Sequence, residues 1–126
     1  MTDFRSPLSR ARGLGSAKEG THHWWMQRVT AIALIPLVVW FAISLVMLTG
    51  ADFAVVRAWI GSPLVMVLLT LTIGVGLYHG QLGLQVVWED YTDGALRVFL
   101  ILFTKFIAVL FGLGAILAIM RIGFGG

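Results

Sequence analysis

The fold is decided by a glycine-rich apolar stretch in the middle of the chain, Thr72-Ile73-Gly74-Val75-Gly76-Leu77-Tyr78-His79-Gly80-Gln81-Leu82-Gly83. It lies inside a run, residues 64–88, that contains no Asp, Glu, Lys or Arg, and a run of that length can cross a bilayer as a helix. On a helix, five residues share one arc of the surface and form what we call the glycine lane: Thr72, Gly76, His79, Gly80 and Gly83. This pattern predicts that something flat sits against the lane and that His79 binds it.

Composition sets the class of protein. Of the 126 residues, 59% are hydrophobic and only 12% are charged, which predicts a single-domain membrane protein. The absence of cysteine excludes disulfides, thiolate metal sites and iron–sulfur ligation within this chain. Histidine is then the main candidate ligand for a transition metal. His22 and His23 are adjacent, which is a poor ligand spacing on a helix because neighbouring side chains point apart.

Three apolar runs predict an all-α membrane protein with three transmembrane helices. The predicted spans cover about residues 28–49, 64–88 and 97–120. Pro63 suits the first turn of the second span, and Pro36 predicts a kink in the first. Residues 1–20 predict a cytoplasmic N-terminal arm without a repeating apolar face, and residues 21–126 predict a three-span membrane-anchor domain.

The orientation follows from the distribution of basic residues. Five of them lie before the first span or at its start: Arg5, Arg10, Arg12, Lys18 and Arg28. Each later connection or terminus carries one. The positive-inside rule therefore predicts a cytoplasmic N-terminus and, after three spans, a periplasmic C-terminus. No basic groove for nucleic acid, phosphate loop or nucleophile–base pair is present in the sequence, so the expected environment is lipid and protein.

His79 is the one histidine deep in an apolar run. It lies nine residues before Trp88, or roughly 13 Å along a helix, and a polar ring at that depth needs a partner because lipid offers none. Two interpretations remain open: a hydrogen bond to another helix, or axial ligation of a haem. The glycine lane suits both, since a porphyrin and a packed helix each need close approach. Haem binding would require a second ligand from a partner subunit.

Polar residues near the ends of the spans have similar alternatives. Tyr91, beside Asp90, is either an interfacial anchor or a hydrogen-bond donor to a carbonyl oxygen of a ligand. Arg28 either anchors the first span at the cytoplasmic surface or pairs with an anionic group such as a haem propionate. Lys105 lies within the third span, and its long side chain predicts snorkelling toward the cytoplasmic face.

Three features together are similar to those of a known family. They are His79, Asp90-Tyr91, and the opening of the first span, Gly20-Thr21-His22-His23-Trp24-Trp25-Met26-Gln27-Arg28-Val29-Thr30-Ala31-Ile32-Ala33-Leu34. On these residues the chain resembles the small membrane-anchor subunits of succinate dehydrogenase, respiratory complex II. The resemblance covers nearly the whole chain, including the three spans and the cytoplasmic N-terminus.

The resemblance implies specific roles. In such complexes a flavoprotein subunit oxidises succinate, an iron–sulfur subunit carries the electrons, and two membrane anchors hold haem b and form the ubiquinone site. By that resemblance His79 looks like one axial ligand of the haem iron, with the other supplied by the larger cytochrome b556 anchor. Tyr91 looks like the residue that hydrogen-bonds ubiquinone, with Asp90 supporting it. Arg28 would lie near the haem propionates or the quinone pocket, and Lys105 matches no family role.

The resemblance also implies a non-autonomous subunit of an electron-transport and tricarboxylic-acid-cycle enzyme in the bacterial inner membrane. Two alternatives stay open. One is a cofactor-free three-helix structural or assembly protein, in which the glycine lane is a seam between helices. The other is the anchor of a quinol:fumarate reductase, since the redox partners, and not this chain, set the direction of the reaction.

Overall fold

The computed structural model describes residues 4, 6–8 and 18–125, so most of the predicted arm, residues 1–20, lies outside the described part of the chain. Four helices follow one another within residues 18–125. They are α1 (Lys18–Met47), α2 (Phe53–Ile60), α3 (Pro63–Tyr91) and α4 (Gly94–Gly125). Three of these, α1, α3 and α4, are long and apolar enough to cross a membrane, which confirms the predicted all-helical architecture with three spans.

Each long helix extends beyond the apolar run that predicted it. The helix α1 is already formed at Lys18, ten residues before the predicted start at 28. The helix α3 continues through Glu89 and Asp90, and α4 includes Gly123, three residues beyond the predicted end of the third span at 120. The reason is physical: a charge or a tryptophan marks where a helix leaves the hydrocarbon, but the backbone remains helical in the headgroup layer. Apolar run lengths therefore underestimate helix lengths.

The helix α3 is the centre of the fold. Over the described residues α1 and α4 both pack on α3 and not on each other. Four neighbouring pairs define the register: Gln27 with Gly83, Leu34 with Gly76, Leu77 with Gly112, and Trp88 with Thr104. Both pairings are antiparallel, because residue numbers rise along one helix as they fall along the other. The start of α1, the end of α3 and the start of α4 therefore lie at the same end of the molecule.

A two-residue link, Thr92 and Asp93, joins α3 to α4. It is shorter than the connection over residues 89–96 that the predicted second and third spans leave between them. The Thr92 N–H donates to the Trp88 carbonyl at 3.0 Å, and the Arg97 Nε–H donates to the Thr92 carbonyl at 2.7 Å. Gly94 has a φ of +59°, a conformation that a residue with a Cβ adopts only with strain. These features set the antiparallel return of α4 onto α3.

The opposite end of the bundle holds α2, which the sequence predicted only as a connection. Gly50, with a φ of +78°, turns the chain after α1. Trp59 of α2 then stacks on Trp40 of α1, with ring centroids 5.9 Å apart, and α2 also packs on α3 and α4. Pro63 begins α3, as predicted. Pro36 lies inside α1, which continues through it without interruption.

Very little of the described chain is buried within it. The buried apolar residues are Leu69, Leu82 and Ile119, and the buried polar residues are Thr30, Ser44 and Gln81. Long rows of leucine, isoleucine, valine and phenylalanine remain exposed on α1 and α4. A surface of that kind needs lipid or other apolar protein to cover it. The three long helices therefore leave broad apolar surfaces that they do not cover for one another.

Candidate functional site

His79 faces α1 from the middle of α3. Its side chain is half-buried, and its Nδ1 lies 2.9 Å from the hydroxyl oxygen of Thr30 in α1. Thr30 is 6% exposed. A hydrogen bond between two helices satisfies part of the polar ring at a depth where lipid provides no partner. The first of the two interpretations of His79, contact with another helix, is therefore present in the structure.

The glycine lane is divided between two environments. A Cβ added to Gly76 would lie 3.9 Å from Leu34 Cδ2, and one added to Gly83 would lie 3.8 Å from Gln27 Nε2. Both glycines therefore face α1. A Cβ added to Gly80 would meet nothing within 4 Å. Part of the lane is thus a helix–helix seam, and the part beside His79 is open.

The second ring nitrogen of His79 has a different environment from the first. Within residues 18–125, Nε2 makes no hydrogen bond and is not enclosed, so it reaches the surface of the chain. A neutral imidazole whose Nδ1–H is hydrogen-bonded presents the lone pair of Nε2, the usual form of a metal-bound histidine. The donor chemistry of His79 therefore fits an axial ligand.

The surroundings of His79 also limit the kind of metal. The described residues hold no group of three or more histidine, cysteine, aspartate or glutamate side chains that could bind a metal ion. A metal at His79 would therefore need its other ligands from outside the described residues. Gly80, open and adjacent to the ring, leaves room for a flat group next to α3.

Arg28 does not reach His79. Its guanidinium lies over the ring of Trp24, 5.3 Å from the centroid, in a cation–π contact one turn away on the same helix. Two residues along a helix turn the side chain by about 200°, so Arg28 projects from a different side of α1 than Thr30. Arg28 is exposed and makes no ion pair with the described residues, which leaves its charge available to a group outside this chain.

Asp90 and Tyr91 end α3 at the same end of the molecule as the start of α1. The helix is continuous from His79 to Tyr91, so the twelve intervening steps separate the two residues by about 18 Å along its axis. Tyr91 is 84% exposed. Among the described side chains no hydrogen bond joins Tyr91 to Asp90, so the phenol can donate to a partner outside this chain.

A groove of about 940 Å³ opens between α1 and α4 over one face of α3. Its polar lining consists of His22, His23, Tyr78, Gln81, Gln85 and Lys105. The sequence predicted only snorkelling for Lys105 and no family role; the structure places it, exposed, on this groove. Neither His79 nor Tyr91 lines the groove. The groove is therefore separate from both predicted binding residues.

Two threonines form cross-helix contacts that no sequence pattern indicated. Thr30 meets His79, and Thr104 accepts a hydrogen bond from Trp88 Nε1 at 2.9 Å. Thr30 belongs to the stretch that carries the family resemblance, but threonine is common in membrane helices and has no distinguishing spacing here. Its partner becomes visible only when the register of α1 against α3 is fixed.

Comparison with known proteins identifies the family of the chain. A sequence model of the family described as "Succinate dehydrogenase/Fumarate reductase transmembrane subunit" matches residues 2–114. The chain is 34% identical over 122 residues to the succinate dehydrogenase hydrophobic membrane anchor subunit of Rickettsia bellii, covering 96% of this chain and 98% of the relative. It is 33% identical over 126 residues to the protein of the same name from Paracoccus denitrificans, covering 97% and 95%.

A third relative with that name, from Rickettsia conorii, is 39% identical over 90 residues, which cover 71% of each chain. No solved structure matches the chain. The family match spans α1 to most of α4 and includes Thr30, His79 and Tyr91. The chain therefore belongs to the family of succinate dehydrogenase and fumarate reductase transmembrane subunits, as a hydrophobic membrane anchor of succinate dehydrogenase.

Proposed function

We propose that the chain helps to hold haem b in complex II through His79 and helps to form the site where ubiquinone is reduced. The observation that carries the proposal is the state of the imidazole: Nδ1 is engaged by Thr30, whereas Nε2 is open at the surface of the chain. A single histidine would supply only one protein ligand to the haem iron. No other described histidine lies at this depth, so a second anchor subunit, the larger cytochrome b556 chain, supplies the other ligand.

The proposed orientation has the start of α1 in the cytoplasm and the end of α4 in the periplasm of a bacterial inner membrane. Two points support it. The basic residues of the sequence are concentrated before and at the start of α1, as the positive-inside rule requires. The antiparallel packing brings Tyr91 to that same end. The iron–sulfur and flavoprotein subunits would then dock at the end that carries Asp90 and Tyr91.

The residues of this chain bind and orient; they do no redox chemistry themselves. Haem, when bound, supplies a centre that gains and loses one electron. His79 holds its place on the rigid seam between α1 and α3, away from water. Tyr91 donates a hydrogen bond to a carbonyl oxygen of ubiquinone, which strengthens as negative charge grows on that oxygen during reduction. In the assembled complex Asp90 would support the phenol through its nearby charge and not through a hydrogen bond within this chain. Arg28 would offer a positive charge to a propionate or to the quinone pocket.

Two observations bear on the alternatives. The contacts of Gly76 and Gly83 with α1 favour a purely structural role for that part of the glycine lane. The family description covers fumarate reductases as well, whereas the relatives compared are named for succinate dehydrogenase. Assays of the purified complex with succinate and ubiquinone, and with menaquinol and fumarate, separate the two reactions.

The test of the ligand assignment is His79→Ala in the complete complex, purified in mild detergent. We expect the hydrophilic subunits to co-purify while the reduced-minus-oxidised haem absorption is abolished or strongly reduced. His22→Ala is the matched control, because this histidine is exposed on the groove and not on the α1–α3 seam. A haem spectrum of full intensity in an assembled His79→Ala complex would remove the assignment.

The quinone site is tested by Tyr91→Phe, which removes one hydroxyl. A hydrogen bond to a group gaining charge contributes about 1.5–3 kcal/mol, which corresponds to roughly 10- to 150-fold in rate. We expect slower ubiquinone reduction with an unchanged haem spectrum. The other tyrosine of the chain, Tyr78, lines the groove, and Tyr78→Phe should leave the rate as it is. Equal rates for Tyr91→Phe and the unmodified complex would exclude this role.

A further inference from the structure

We infer that Thr30 is a positioning residue for the haem ligand: its hydroxyl accepts a hydrogen bond from His79 Nδ1–H and thereby fixes both the tautomer and the rotation of the imidazole. The inference rests on the proposed function of His79 and adds a residue on a different helix. It concerns α1, which the axial-ligand assignment by itself does not involve.

The direction of the hydrogen bond follows from the three neighbours of the hydroxyl. Thr30 Oγ1 lies 2.6 Å from the Met26 carbonyl oxygen, 3.2 Å from the Gln27 carbonyl oxygen and 2.9 Å from His79 Nδ1. A hydroxyl has one proton and two lone pairs. Two oxygens at 2.6 Å need that proton between them, since otherwise their lone pairs would repel. The proton therefore points to Met26.

With its proton committed to Met26, Thr30 Oγ1 can only accept from His79. The hydrogen on the ring is then on Nδ1, and Nε2 carries the free lone pair. This is the tautomer that coordinates iron, and Nε2 is the nitrogen that reaches the surface of the chain. In the opposite tautomer Nε2 would carry a proton and bind no metal. Thr30 thus selects the competent form.

The α1–α3 seam keeps the two partners at this distance. About one turn to either side of the Thr30–His79 pair, a glycine of α3 faces α1: Gly76 lies against Leu34, and Gly83 lies against Gln27. The small size of the two glycines allows the backbones of α1 and α3 to approach. Thr30 is buried at 6% exposure, so its back-bonded hydroxyl has little freedom to turn elsewhere. The pair is therefore part of a packed interface and not a chance surface contact.

The hydrogen bond has two consequences for a bound iron. It fixes the rotation of the imidazole about its bond to Cβ, and this sets the plane of the ring relative to a bound group. It also raises the electron density on Nε2, because a donated Nδ1–H makes the imidazole a stronger base. A stronger base favours the oxidised iron. Loss of the acceptor should therefore weaken haem retention and move the midpoint potential in the positive direction.

The experiment replaces Thr30 by valine, which has nearly the same shape but no acceptor, and by serine, which keeps the hydroxyl. The matched control is Thr49→Val, just after the end of α1 and outside the glycine lane. Thr49 makes the same bond to a carbonyl four residues earlier, Leu45, at 3.1 Å, but no cross-helix bond to a ring. Each variant is purified as the complete complex. Haem per complex, the midpoint potential and the electron paramagnetic resonance of the ferric haem are measured.

We expect Thr30→Val to lower haem affinity by about 10-fold or more, the usual effect of removing a residue that orients a metal ligand. Haem that remains should show a more positive potential and a changed ferric resonance. Thr30→Ser should restore all three properties, and Thr49→Val should leave them unchanged. Normal haem content, potential and resonance in Thr30→Val would overturn the inference, as would a serine variant that behaves like valine.

The His79→Ala and Thr30→Val variants distinguish failure of the ligand assignment from failure of the role of Thr30. If His79→Ala retains full haem, the ligand assignment itself fails, whatever Thr30 does. If His79→Ala loses haem but Thr30→Val is normal, only the role of Thr30 fails. Should the valine variant not assemble, Thr30→Ala, which removes the acceptor without adding a branch against α3, is subject to the same comparison with serine.

Discussion

Replacing Gly76 by leucine should separate α1 from α3 and thereby disturb His79 from a distance. A Cβ at Gly76 would lie 3.9 Å from Leu34 Cδ2, an ordinary contact, so alanine should fit. Leucine adds three further carbons to an interface in which α1 and α3 are already in contact. Inserting that volume into a packed interface costs about 1–3 kcal/mol, or roughly 5- to 150-fold in an equilibrium constant.

The hydrogen bond one turn away is sensitive to this separation. Thr30 Oγ1 and His79 Nδ1 are 2.9 Å apart, and an increase of about 0.7 Å would take them to a distance at which no hydrogen bond remains. We therefore expect Gly76→Leu to lower haem content by about the factor given above, and Gly76→Ala to leave it near that of the unmodified complex.

The assay is haem per purified complex, read from the reduced-minus-oxidised absorption, with subunit content measured on the same sample. Gly74→Leu is the matched control: a Cβ there meets nothing within 4 Å of this chain, so the α1–α3 seam is untouched. Equal haem content in Gly76→Leu and Gly74→Leu would show that the seam does not hold the ligand, and would refute the reasoning.

Further perturbations test the packing of α4 and the turn that leads into it. Trp88→Phe removes the donor to Thr104. We expect the packing of α3 against α4 to lose about 0.6–2 kcal/mol of stability, measured as a lower midpoint in a detergent denaturation series. Thr104→Val should cause the same loss. Additive losses in the double variant would contradict a direct bond. Gly94→Val forces a β-branched residue to a φ of +59° and should cost about 1–3 kcal/mol of stability. Gly114→Val, at an open helical position, should cost less. Equal losses of stability in the two variants would exclude strain at the turn.

The number and kind of the helices could be predicted because a bilayer imposes a length. Residues 64–88 contain no acidic or basic side chain, and only a helix can carry such a run through hydrocarbon. The ends could not be predicted in the same way. Glu89 and Asp90 end the apolar run but continue α3, because water and headgroups solvate their carboxylates while the backbone stays helical. The eight-residue α2 lay below the length that the apolar runs reveal.

The site was predictable only in part. The depth of His79 and its spacing from Tyr91 depend on one continuous helix, and α3 is continuous between them. The partner of His79 depends on the register of α1 against α3, which is set by contacts such as Gly83 with Gln27 and leaves no periodic signal in the sequence. Arg28 lies over Trp24, a contact between residues four apart on the same helix and away from the side of α1 that faces His79.

The most direct test of the central claim is a density map of the complete complex at a resolution that separates the imidazole from its neighbours. We expect a macrocycle beside Gly80, density joining its iron to His79 Nε2, and Nδ1 within hydrogen-bond distance of Thr30. A map in which Nε2 contacts only acyl chains or polypeptide, with no macrocycle next to α3, would contradict the claim.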